Sequence, residues 1–129
     1  MKTPSGALAF LLTVACAFLT IGPPAFGQGC NKDQVQVKVR KYVRDTPQMW
    51  IVKFDVHDSC PEKLLAVTLF INYSYEYRGS DGRVVKSSAQ AGGTINPSES
   101  HSTVLEEKFV VPEGCEVIDV YVDSVSVVS

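Results

Sequence analysis

Leu65-Ala66-Val67-Thr68-Leu69-Phe70-Ile71-Asn72-Tyr73-Ser74-Tyr75-Glu76-Tyr77 carries a large apolar or aromatic side chain at every odd position. Successive side chains of an extended chain point to opposite faces, so this period of two makes one long apolar face of a β-strand. Working outward, Arg78-Gly79-Ser80-Asp81-Gly82 reads as a turn. Its Asp-Gly pair supplies the positive φ that a tight hairpin requires. Arg83 to Ala91 is the expected returning strand, and Gly92-Gly93 and Asn96-Pro97-Ser98 punctuate the chain after it. Thr103 to Val111 is apolar enough for a further strand, stopped by Pro112-Glu113-Gly114, and Glu116 to Val128 supplies Val, Ile and Tyr at most positions.

Upstream, Trp50, Val52, Phe54 and Val56 share a face, with Lys53, Asp55 and His57 on the other. Asp58-Ser59-Cys60-Pro61 ends that run, because proline cannot extend a ladder. Gln34 to Arg40 alternates polar and apolar residues as a half-buried strand does. Lys63 to Phe70 has the length of a short helix, but β-branched and aromatic residues dominate the stretch after it. No segment carries a sustained i, i+3, i+4 stripe. The expected fold is all-β: an immunoglobulin-like antiparallel β-sandwich of six to seven strands, with turn signals every 8–15 residues or so.

The chain of 129 residues has room for one core, 45% of it being hydrophobic and 20% charged. Residues 1–27 read as a secretory signal peptide. Lys2 supplies the positive start, Ala7 to Ile21 a run without charge, Gly22-Pro23-Pro24 a helix break, and Ala25-Phe26-Gly27 the small flanks of a cleavage site before Gln28. The apolar run is short for a bilayer span, which needs about 20 residues. One domain, residues 28–129, is therefore expected outside the cytoplasm, secreted or periplasmic, with no membrane attachment after cleavage. All fourteen acids and eleven of the twelve bases come after residue 27, so that domain carries a net charge of −3. A nucleic-acid partner would need a strong positive field, so none is expected.

Export alters the reading of the cysteines. Cys16 leaves with the leader, and Cys30, Cys60 and Cys115 remain. Two can pair in an oxidising compartment, and three pairings are open. The expected bond is Cys30–Cys60, which would tie the start of the domain to the end of a neighbouring strand. No C-x-x-C or H-x-x-x-H spacing is present, so neither zinc nor any other metal or cofactor is expected. The third cysteine is expected to be a buried, inert thiol, the alternative being one that cross-links two chains.

Chemistry is sparse. His57 and His101 are the two histidines, each expected to be solvated near a strand end or turn. Glu106-Glu107 is a carboxylate pair, but adjacent strand residues face opposite sides and cannot share a site. The chain lacks a G-x-S-x-G elbow, a phosphate-binding glycine loop and an H-E-x-x-H helix. No catalytic residues are assigned, and a non-enzymatic protein is expected. Asn72-Tyr73-Ser74 is a formal glycosylation sequon.

Surface readings centre on two clusters. Lys38, Arg40, Lys41 and Arg44 gather bases in the first strand, while Glu99, Glu106, Glu107, Glu113, Glu116, Asp119 and Asp123 crowd the last third. Such patches either solvate a domain or steer a charged protein partner. Tyr73, Tyr75 and Tyr77 either close the rim of the sandwich or line a contact patch. These seven residues, four bases and three tyrosines, are the candidate partner-binding set.

Three families share these features. A strand closing on Ser59-Cys60, then Gln90-Ala91-Gly92-Gly93, Asn96-Pro97-Ser98-Glu99 and Pro112-Glu113-Gly114 before a valine-rich last strand, resembles the small periplasmic curli accessory proteins. That resemblance implies an immunoglobulin-like sandwich that stops an amyloid subunit from polymerising early, with an aggregation-prone secreted protein as partner. Cys60 and Cys115 depart from the family pattern. Leu64 to Phe109, through Ser80-Asp81-Gly82-Arg83-Val84-Val85, is similar to FxLYD-type sandwich domains of bacterial export. Cys30-Asn31-Lys32 through Val56-His57-Asp58-Ser59-Cys60 is similar to secreted plant tapetum-determinant-like ligands, without that family's later cysteines. The functional expectation is an exported, protein-binding chaperone. The alternatives are a secreted ligand or cell-surface module and, third, a small hydrolase or metal protein.

Overall fold

The computed structural model describes residues 29–128. The leader assigned to residues 1–27 lies outside the described residues. A single 3₁₀ turn, Lys32–Gln34, opens the domain, capped by the Asn31 side chain, which accepts from the Asp33 N–H at 2.9 Å. Six strands come after it: β1 Val35–Arg44, β2 Met49–Asp58, β3 Val67–Arg78, β4 Val84–Ile95, β5 Ser102–Val110 and β6 Glu116–Val128. They form two antiparallel three-stranded sheets, ordered β1-β2-β5 and β4-β3-β6. The fold is an all-β sandwich, with the lower of the expected strand numbers.

Each sheet has its most buried strand in the middle. The odd-numbered face of β3, Val67 to Tyr75, is buried against Trp50, Val52, Phe54 and Val56 of β2. Phe54 meets Tyr73 edge-on with ring centroids 5.3 Å apart, and Tyr75 lies 4.3 Å from Phe109. Each such side chain contributes about 1.5–3 kcal/mol by leaving water. Tyr42 closes one seam between the sheets, its hydroxyl donating to the Ile118 carbonyl at 3.0 Å.

Turns fall where the turn chemistry directs. Gly82 and Gly114 have φ of 81° and 87°, values a side chain with a Cβ rarely adopts. The start of β3 and the end of β4 differ from the sequence reading. Leu65 is 77% exposed, because Leu64 is drawn in by a bond from its N–H to the Pro61 carbonyl and β3 begins only at Val67. Gly92-Gly93 lies inside β4 rather than ending it, since both glycines pair with β3. The Phe70 ring lies against Gly92, and Leu105 of the other sheet occupies the space where a Cβ of Gly93 would stand.

Cys30 and Cys60 form a buried disulfide with Cα atoms 5.3 Å apart. It joins the start of the described chain to the residue just beyond β2, as expected. A buried disulfide fits an oxidising environment.

Candidate protein-binding face

The outward side of β1-β2-β5 carries the basic cluster. The β1–β2 register sets Gln36 opposite His57, Lys38 opposite Asp55, and Lys41 opposite Lys53. A shift between Val39 and Lys41 inserts Arg40 as a bulge, which bends the strand and keeps Lys38, Arg40 and Lys41 exposed together. Arg40 approaches Asp55 at 3.6 Å, Lys53 approaches Glu106 at 3.9 Å, and Lys108 approaches Asp45 at 3.9 Å. Lys38 and Lys41 have no ion pair among the described residues. Lys38, Arg40, Asp55, His57 and Val104 line a shallow groove of about 410 Å³ on this face.

Arg44 leaves the cluster. Its guanidinium lies 4.8 Å over the Trp50 ring and donates to the Pro47 and Cys115 carbonyls. It anchors the end of β1 rather than adding charge to the groove. The tyrosines are also corrected. Tyr73 and Tyr75 are buried and Tyr77 is half-buried, stacked on Tyr75 at 6.2 Å, so the row belongs to the core and not to a contact patch. Their long alternating face is the signature of a strand pressed on a second sheet, and sequence periodicity alone leaves both readings open.

The acidic run of the last third divides by the alternation of β5 and by the change of sheet. Glu106 faces outward to Lys53, whereas Glu107 lies opposite Val52 on the inner side. Burial pushes the Glu107 carboxyl up from its ordinary range. Glu116, Asp119 and Asp123 lie on β6, in the other sheet. Three of the acids therefore stand on the second sheet, while Glu106 shares the outer side of the first with the bases.

His57 lies within β2, exposed, its Nδ1 3.0 Å from the Ser102 hydroxyl. Among the described residues no carboxylate is bonded to its other ring nitrogen, so nothing orients the ring as a triad acid would. His101 departs from the expectation of a solvated turn. Its Nδ1 donates to the buried Asp58 carboxylate at 2.7 Å and its Nε2 lies 3.5 Å from Glu62. The hydrogen bond to Asp58 raises its pKa above the usual imidazole range, aided by Glu62. Asp58 also accepts from the Cys60 N–H at 3.0 Å, so this cluster braces the disulfide. Asp-Ser-Cys is a readable turn in the sequence, but its partner 43 residues away is not.

The outer side of β4-β3-β6 is a polar lattice. Gln90 donates to Asn72 at 3.0 Å, and Asn72 donates to Ser124 at 2.9 Å. Ser74 bonds to Ser88 and donates to Asp123, and it is itself buried. Both polar members of the Asn72 sequon are thus held in the middle strand of a sheet. Cys115 is half-buried, beside Gly79 at the far end of the sandwich. No cluster of metal-ligating side chains occurs among the described residues, and none of their helices is long and apolar enough to cross a membrane.

Fold and surface together define a small six-stranded sandwich with a basic outer face on one sheet and a polar one on the other. Comparison with protein-family models, curated proteins and solved structures finds no match to this chain.

Proposed function

We propose that this is an exported, non-catalytic β-sandwich that binds another protein through the outer face of β1-β2-β5. The reading is that of a periplasmic or secreted chaperone that holds an aggregation-prone subunit of the curli type away from strand addition. The observation that carries it is the exposure of Lys38 and Lys41, without ion pairs, beside the groove that Arg40 and Asp55 line. Unneutralised cations on a flat sheet attract an acidic or partly folded chain from a distance, and their effect falls with salt. The leader-like residues 1–27 and the buried disulfide support export.

Fibre formation by a curli-type subunit tests the reading. A substoichiometric amount of this protein is expected to lengthen the lag, and the triple variant Lys38→Glu, Arg40→Glu, Lys41→Glu to abolish that effect while keeping a native circular dichroism spectrum. Arg44 is left in place because it braces Trp50. An unchanged lag with the native protein, or an equal delay by the triple variant, contradicts the proposal.

A further inference from the structure

The sandwich has four edge strands, and three of them carry features that oppose the addition of another strand. Along β1 there is the Arg40 bulge and a row of cations, and Tyr42 ties it to β6. In β5, Glu106, Glu107 and Lys108 stand in succession, with Glu107 turned inward. The pairing of β6 with β3 is interrupted twice, and β6 bears Asp119 and Asp123. By contrast β4 pairs with β3 over its whole length without a register shift, contains no proline, and has Lys86 as its one charged residue.

We propose that β4 pairs antiparallel with β4 of a second copy of this chain, making one continuous six-stranded sheet across a two-fold axis at Gln90. Such an axis stands normal to the sheet, so outer side chains meet outer ones. With Gln90 beside Gln90 of the second copy, Lys86 falls opposite Thr94, and no like charges meet. On the inner side Val85, 39% exposed in the single chain, gains Ile95 of the second copy as its neighbour, and Ala89 meets Ala91. The small residues between Ser87 and Gly93 let the two strands approach without a clash of side chains. The residues so paired, Val85 to Ile95, form a seam about 36 Å long and one sheet, about 10 Å, deep. That buries about 700 Å² in total, below the roughly 1,200 Å² of a standard stable interface, so the pair is reversible and forms at high protein concentration.

Sedimentation equilibrium of the purified protein alone reads this directly, apart from any client. The native protein is expected to move from monomer toward dimer as its concentration rises toward about 1 mM. Gln90→Lys and Gln90→Glu, each placing like charges on the axis, are expected to weaken association at least ten-fold, and an equimolar mixture of the two to restore it. Thr94→Glu, set against Lys86 of the second copy, is expected to strengthen it several-fold, which guards against loss of fold in the Gln90 variants. Lys38→Glu is expected to leave it unchanged, separating this surface from the client-binding face. A monomer throughout, charged variants that associate as the native protein does, or a mixture that fails to recover would each overturn the proposal.

Discussion

Asp58 is the residue on which the end of β2 turns. It is buried, caps the Cys60 N–H and accepts from His101. Since His101 has a raised pKa in the fold, the stability it adds is fully present below about pH 6.5, its unfolded value, and is lost as pH rises through the higher folded value. Thermal melts between pH 5 and 9 or so are expected to show a fall over that window in the native protein and a shallower one in His101→Gln. Glu107 acts with the same sign at lower pH. Its raised folded pKa makes the neutral form the favoured one, so its contribution fades as pH rises from the ordinary carboxylate value through the folded one. Glu107→Gln is therefore expected to melt higher than the native protein at pH 7. Tyr73 is fully buried and its hydroxyl has no hydrogen-bond partner among the described residues. Tyr73→Phe is expected to be neutral or stabilising by about 1 kcal/mol in urea titration, whereas a tyrosine acting at a contact patch would cost binding and leave stability untouched.

At the scale of elements, alternation made β1, β2 and β3 legible, the Asp-Gly turn gave β4, and apolar content gave β5 and β6, the last with the bounds expected, Glu116 to Val128. What local pattern cannot convey is which strand a residue meets. Gly92-Gly93 has the chemistry of a turn, yet the approach of Leu105 from the opposite sheet turns a missing Cβ into a packing requirement. A Cβ on Gly93 would stand 2.8 Å from a Leu105 methyl. Gly93→Ala is expected to cost about 1–3 kcal/mol, and much less in a Leu105→Ala background, as a double-mutant cycle on unfolding free energies would report. The disulfide agrees with the expectation that the start of the domain is tied to the end of a neighbouring strand, Cys60 lying just past β2. Its removal by Cys30→Ser with Cys60→Ser is expected to lower stability by about 3–4 kcal/mol, the scale for a closed loop of this length.

Over the whole molecule, the strand order separates charges that stand side by side in the sequence. Four bases within one strand look like a single patch, but Arg44 lies over the Trp50 ring as an anchor, and Lys38, Arg40 and Lys41 alone stay together on the exposed side. The tyrosines, equally prominent in the sequence, go to the core, because the middle strand of a sandwich must bury one face. The proposed contact surface is the outer side of β1-β2-β5, and titration of the ¹⁵N-labelled protein with a curli-type subunit examines that most directly. Amide shifts confined to Gln36–Lys41, Asp55–His57 and Ser102–Val104 are the expected result. Shifts centred on the polar lattice of β4-β3-β6, or none at all at saturating subunit, would contradict it.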